Sequence, residues 1–130
     1  AVRKRRLHFN TQLPTVRRRI VCIRILFEIM YSIHKLILKR DWDALAEFVH
    51  LECDIEEIIY ELNDYPGEIS ECTRDDFFDS IRLNDFDGYT IDSMAQLFFD
   101  GEESDLSMEC SFTFNGKELR KAVLHRVHVF

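Results

Sequence analysis

The sequence predicts an α+β fold in which N-terminal helices pack on a curved, cone-like antiparallel sheet formed by a C-terminal meander. The main observation is a change in hydrophobic period, from helical spacing before Gly88 to alternation after it. A second is the dipeptide Asn115-Gly116, which stands between two alternating runs and predicts a hairpin with a type I′ turn. Because helical and strand patterns occupy separate halves, we expect the helices to cover one face of a single sheet.

The first predicted helix, from about Thr15 to Leu38, is apolar around most of its circumference. Its polar residues recur every three or four positions and form one narrow stripe: Arg24, Glu28, Ser32, Lys35 and Lys39. Such a helix needs partners on most sides, so we expect it to be the spine of the core. A membrane span over the same residues is rejected, because each charge at mid-span would cost about 3 kcal/mol.

Shorter helices are predicted between this spine and the sheet. Asp41 begins the first, Asp54 with Glu57 three residues later begins the second, and Thr73 caps the third. The strands are expected in the alternating runs 89–99, 104–114 and 118–130.

Charge is divided unevenly along the chain. Residues 1–40 hold eleven Lys and Arg against one acid, whereas residues 41–130 hold six against twenty-three acids. The head is therefore about +10 and the body about −17, an asymmetry that indicates partners selected by charge. We expect a loosely ordered basic arm over 1–16, because these residues show no clear hydrophobic period and Pro14 interrupts them. The length of 130 residues predicts a single α+β domain over 17–130.

Motifs that carry chemistry are scarce. The four cysteines are widely spaced without a C-x-x-C pair, which predicts free thiols in a reducing cytoplasm rather than a zinc site. The segment around Gly88 imitates a calcium loop, but Leu83 and Met94 stand where acidic ligands are needed. His125 and His128 lie three apart in the last strand, so we expect them on opposite faces. We expect no cofactor, no metal and no catalytic residue.

The clearest candidate surface is acidic. Four acids crowd the predicted tip of the hairpin between the first two strands, and two more lie on the turn before the first strand. The predicted partner-binding residues are therefore Asp85, Asp87, Asp100, Glu102, Glu103 and Asp105. For the tip itself, a well-solvated turn and a docking surface for a basic partner both remain open, and a catalytic carboxylate cluster is less favoured.

Parts of the chain resemble a family of small uncharacterised bacterial domains. The resemblance lies in the segments FFDGEESDLSMECSF and RVHVF and in the helical opening LILKRDWDALAEF. It covers roughly residues 25–130 and leaves the Arg-rich start outside. The order of elements is also similar to the cone-shaped nuclear transport factor 2 superfamily, which implies a bent sheet around a pocket. That superfamily includes isomerases, dehydratases and binding modules, so the resemblance implies a fold more than an activity.

We therefore expect a cytoplasmic protein-interaction domain, namely an immunity-type inhibitor that binds and blocks a basic toxin domain such as a nuclease. The acidic body and the scarcity of catalytic motifs favour this function, and small acidic domains of this kind resemble immunity proteins. One alternative is a small-ligand binder or an isomerase- or dehydratase-like enzyme that uses an Asp or His base in a cone pocket. A further alternative is nucleic-acid binding through the basic arm, which the acidic body would oppose.

Overall fold

The computed structural model describes residues 16–84 and 86–129. Its helices are α1 (Val16–Lys39), α2 (Trp42–Phe48), α3 (Ile55–Asp64) and α4 (Arg74–Asp79). Its strands are β1 (His50–Leu51), β2 (Arg82–Leu83), β3 (Thr90–Phe99), β4 (Glu102–Asn115) and β5 (Glu118–Val129). The predicted α+β class is confirmed, since helices come first and C-terminal strands build one open sheet. The predictions for residues 1–15 and for Asp85 lie outside the described residues.

Side-chain caps fix the starts of two helices. The Asp41 carboxylate accepts from the backbone N–H of Ala44 at 3.3 Å, and the Thr73 hydroxyl accepts from that of Asp76 at 3.1 Å. Both caps were predicted and are confirmed, because a capping side chain satisfies an N–H that the helix itself leaves unpaired. Asp54 occupies the corresponding position before α3 but makes no side-chain capping bond.

α1 lies against the sheet through a buried stripe with helical spacing: Cys22, Leu26, Met30, Ile33, His34 and Ile37. This stripe joins the inward residues of β4 in one buried cluster: Leu106, Met108, Cys110, Phe112 and Phe114. The first turns of α1 are less covered than its sequence predicts, since Val16 is 74% exposed and Ile20 is 51% exposed. None of the described helices is both long enough and apolar enough to cross a membrane.

The sheet has the strand order β1-β5-β4-β3-β2. β1 pairs in parallel with β5, and the other neighbours are antiparallel. The β3–β4 hairpin turns at Asp100-Gly101, where φ is 52° and 82°, so this is the turn with two positive φ values. At the β4–β5 hairpin, Asn115 pairs with Glu118 and the turn residues are Gly116 and Lys117. Only Gly116 of that turn has a positive φ, which differs from the predicted type I′ turn at Asn115-Gly116.

A bulge in β5 changes which side chains share a face. Glu109 pairs with Arg126, but the next residue, Cys110, pairs with Leu124, so His125 is the extra residue. His125 contacts Ser111, and His128 approaches Glu109. Ser111 and Glu109 lie two residues apart on β4 and therefore on the same face of the sheet. The prediction that the two histidines lie on opposite faces is therefore wrong, because the bulge shifts the alternation by one residue.

Candidate functional site

The tip of the β3–β4 hairpin is fastened to the segment that follows α3. The backbone N–H of Asp100 donates to the Glu68 carbonyl at 2.9 Å, and the Glu68 N–H donates to the Asp100 carboxylate at 3.1 Å. The Gly101 N–H donates to the Ser70 hydroxyl at 2.8 Å. Asp100, one of the predicted partner-binding acids, therefore also holds the turn in place.

Beside these contacts lies an open cleft of about 560 Å³, which we call the acidic cleft. The hairpin tip forms one side, and the C-terminal end of α3 forms the other. The acidic residues that line it come from both sides: Glu61, Asp64, Asp100, Glu102, Glu103 and Asp105. None of the ion pairs between described residues involves any of these six. The cleft therefore concentrates negative charge that the described part of the chain does not neutralise.

Aromatic rings support the acidic cleft. The Tyr65 hydroxyl donates to the Asp105 carboxylate at 2.5 Å, a short charge-assisted hydrogen bond that fixes this acid. The Tyr65 ring packs against Phe99, with ring centroids 4.6 Å apart. A cleft that combines carboxylates with an aromatic surface suits a Lys or Arg side chain, whose charge and apolar stem need different partners.

The other predicted acids are distant from this cleft. Asp87 lies before the start of β3 and Asp100 lies after its end, so the strand separates them by roughly 30 Å. The Asp87 carboxylate accepts from the N–H groups of Tyr89 and Thr90, at 2.8 and 2.9 Å. These hydrogen bonds hold its pKa below the usual value for an aspartate. In this position Asp87 shapes the turn that leads into β3.

A hydrogen-bonded chain lies on the face of the sheet opposite α1. Ser111 Oγ is 2.7 Å from His125 Nε2, and His125 Nδ1 is 3.0 Å from Glu52 Oε1. Because a carboxylate only accepts, Nδ1 carries a proton, and in the neutral imidazole Nε2 then accepts from the serine hydroxyl. Serine, histidine and carboxylate therefore stand in the order of a catalytic triad. Sequence reasoning missed this chain, because the bulge and the pairing of β1 with β5 bring its members together.

A charged cluster borders this chain on the same face. Arg126 Nε donates to Glu109 Oε2 at 2.7 Å, and His128 Nε2 lies 3.4 Å from the same oxygen. The hydrogen bond from Arg126, with the nearby His128, holds the pKa of Glu109 below its usual range. This carboxylate therefore stays ionised near pH 7, and it links β4 to β5 on this face through its contacts with Arg126 and His128.

Comparison with known proteins shows a match to one family model. A family model described as a domain of unknown function (DUF7668) matches residues 36–130. The chain belongs to this family. The matched range starts in the last turn of α1 and contains α2 to α4 and all the described strands, so the acidic cleft and the Ser111 chain both lie in the DUF7668 domain. No curated protein and no solved structure matches the chain.

A buried histidine lies in α1, two residues before the range that the family model matches. His34 is 1% exposed, and its ring stacks on Phe77 with centroids 4.7 Å apart. Its Nε2 lies 3.6 Å from Cys72 Sγ. Burial, with a smaller effect of Lys35, lowers the pKa of His34 to about 4, and burial raises that of the Cys72 thiol to about 11. Both groups are therefore neutral near pH 7, so this pair does not supply a thiolate nucleophile.

Metal-ligand geometry does not occur in the described part of the DUF7668 domain. No three side chains from His, Cys, Asp and Glu are grouped there so that they could hold one ion. The four cysteines are free thiols, with Cys22 and Cys110 buried and Cys53 and Cys72 half-buried.

Proposed function

We propose that this domain binds a basic segment of a partner protein in the acidic cleft. The observation that carries the proposal is that six acidic residues from two separate elements line one open cleft. Four of them were predicted from the hairpin sequence, and Glu61 and Asp64 come from α3. Helix and hairpin thus present one charge sign to an incoming partner from two sides.

Electrostatics supports recognition of a basic partner. Like charges held close together without counter-ions are mildly unfavourable in the free domain, and a basic partner relieves this repulsion on binding. Charge complementarity of this kind raises the association rate and excludes acidic competitors more than it raises affinity. Tyr65 adds a rigid aromatic surface that can contact the stem of a bound Lys or Arg.

The partner class we propose is a basic toxin domain, which this chain would block as an immunity-type inhibitor. A nuclease active site attracts phosphate and is therefore basic, so an acidic domain with a body charge of about −17 complements it. Four free cysteines suit a reducing cytoplasm, where such an inhibitor would act.

Membership of the nuclear transport factor 2 superfamily is a finer proposal about ancestry. In that fold a ligand would sit between the helices and the sheet. Here α1 and β4 meet through fully buried side chains such as Leu26, Met30 and Phe112. This packing favours the protein-binding function over an enzyme with an interior pocket.

Association kinetics test the proposal. The probe is the basic protein that copurifies with the tagged chain from its native host. Changing Glu102 and Glu103 to Gln should leave stability within about 0.5 kcal/mol of the parent. It should slow association by about three- to tenfold at low salt and flatten the salt dependence of the rate. The charge-matched control is Glu47→Gln with Glu71→Gln, two exposed acids outside the cleft. Equal effects of the two double variants would contradict the proposal, because net charge rather than the cleft would then control association.

A second candidate function is supported by the Ser111–His125–Glu52 chain. In ester hydrolysis, Ser111 Oγ would attack the carbonyl carbon while its proton passes to His125 Nε2. The protonated imidazole would then give that proton to the leaving alcohol, and water would release the acyl group. This candidate stands second because Ser111 is paired with strands on both sides, so its own N–H belongs to the ladder and does not serve an oxyanion.

A fluorophosphonate probe tests this candidate directly. In labelling, a bond forms between Ser111 Oγ and phosphorus, fluoride leaves, and the proton passes to His125 Nε2. The expected result is one adduct by intact mass, lost in Ser111→Ala and retained in Ser107→Ala, a change on the same strand. An unlabelled parent, or labelling that survives in Ser111→Ala, would rule out an activated serine at this position.

A further inference from the structure

β5 extends beyond the strand that borders it. β1 pairs only with Val123 and Leu124, so among the described residues no strand covers this edge of β5 further along. The chain leaves β1 with the Glu52 N–H donating to the Leu124 carbonyl at 3.0 Å, and then turns into α3. The last residues of β5 therefore face α3 across an edge that no described strand occupies.

The register shows which backbone groups face that edge. Because the Leu124 carbonyl points to β1, its pairing with Cys110 on β4 is a pair without mutual hydrogen bonds. Such pairs recur every second residue along β4, so Met108–Val127 and Leu106–Val129 are of the same type. The N–H and C=O groups of Val127 and Val129 therefore point away from β4, toward α3.

A groove of about 390 Å³ accompanies this edge, between it and one face of α3. Glu56, Glu57 and Glu61 line the wall that α3 provides, and Arg126, Val127 and His128 line the strand side. Glu61 also lines the acidic cleft, so the groove and the cleft adjoin at this residue.

The groove also exposes apolar surface. Tyr60 is 64% exposed in the groove, and Val129, which lines the adjoining acidic cleft, is 49% exposed. Neighbouring apolar surface, carboxylates and outward backbone groups suit an extended chain better than a compact ligand.

We infer that the basic segment of the partner adds to β5 as an extended strand, pairs with the backbone of Val127 and Val129, and places Lys or Arg side chains against the carboxylates of α3. This inference rests on the proposed function and names its binding mode. A strand added to an open edge gains affinity from backbone hydrogen bonds, whereas side-chain pockets determine specificity. At about 3.3 Å per residue, a partner strand paired with Val127 would reach the acidic cleft two residues further on, beside Val129.

Charge also explains why this edge would admit a basic strand and not another copy of the domain. An uncovered edge invites pairing between identical chains. A second copy would bring its own Glu56, Glu57 and Glu61 against the same residues, and this repulsion opposes self-association. A partner strand with the opposite charge removes the repulsion.

Two isomeric peptides test the inference. The parent probe is a heptapeptide in which lysine and valine alternate, and a glutamate–valine heptapeptide is the charge control. One isomer carries N-methyl groups on the lysine amides and the other carries them on the valine amides. In a paired strand only one of these sets faces β5, so one isomer should bind about tenfold or more weakly than the other. Hydrogen exchange should slow at the Val127 and Val129 amides when the parent peptide saturates the domain.

Each result separates this inference from the proposed function. If both isomers bind as well as the parent peptide and Glu102→Gln with Glu103→Gln weakens all of them, the basic-segment function stands and strand addition is overturned. If exchange at Val127 and Val129 is unchanged by a saturating peptide, strand addition is likewise overturned. If no lysine peptide binds at about 1 mM, or the glutamate peptide binds equally, both proposals fail.

Discussion

His34 should make the stability of this domain fall steeply in mild acid. The imidazole is 1% exposed and packs between Phe77 and Cys72, and its pKa is lowered from 6.5 to about 4. Above about pH 6.5 the ring is neutral in the folded and the unfolded chain, so its full contribution to stability is present. Below that pH the unfolded chain binds a proton that the folded chain refuses until about pH 4. The free energy of unfolding should therefore fall by about 1.4 kcal/mol per pH unit in this window, or about 2 kcal/mol by pH 5.

Urea unfolding at about pH 7.5 and about pH 5 checks this effect. The variant His34→Leu fills the buried site with an apolar side chain and removes the titrating ring. Its loss of the Cys72 contact affects stability equally at both pH values, so the comparison of pH dependence isolates the ring. The parent should lose about 2 kcal/mol more than His34→Leu between these pH values. Cys72→Ala is the control and should keep the steep dependence of the parent. Parallel loss in the parent and His34→Leu would refute the reasoning.

Two further predictions concern the core and the hairpin tip. Leu26→Ala should lower the free energy of unfolding by about 2–5 kcal/mol, because the side chain is fully buried, whereas Ile20→Ala at a 51% exposed site should cost less than about 1 kcal/mol. Gly67→Ala should cost at least about 1 kcal/mol more than Gly101→Ala in the same urea assay. Both glycines have positive φ, but a Cβ on Gly67 would lie 2.4 Å from Asp100 Oδ2, whereas one on Gly101 meets nothing within 4 Å. Equal costs within either pair would contradict the packing described for it.

Local signals predicted much of the fold. The span of α1, the caps at Asp41 and Thr73 and the alternation of β4 depend on residues close in sequence, and the structure confirms each. β1 and β2 were not predicted, because each has two residues and becomes a strand only through its partner. The bulge at His125 is likewise a property of pairing between strands rather than of either sequence.

The candidate site divides in the same way. The acids of the hairpin tip were predicted because they are neighbours in sequence. Glu61 and Asp64 were not, since nothing in α3 alone shows that its C-terminal end faces the tip. The backbone bonds of Glu68 with Asp100 bring the segment after α3 to that position.

The basic start of α1 and the acidic cleft lie at opposite ends of the domain. Near its N-terminus, α1 contacts the far hairpin, where Cys22 Sγ approaches the Gly116 carbonyl at 3.5 Å. The cleft lies at the other end of β4, roughly 45 Å away at about 3.4 Å per residue. That separation is several times the Debye length of about 8 Å at physiological salt, so the arginines of α1 do little to neutralise the cleft. The molecule thus presents two surfaces of opposite sign that act independently. The basic partner that we propose would be attracted to one end and repelled from the other, which would orient it toward the cleft before contact.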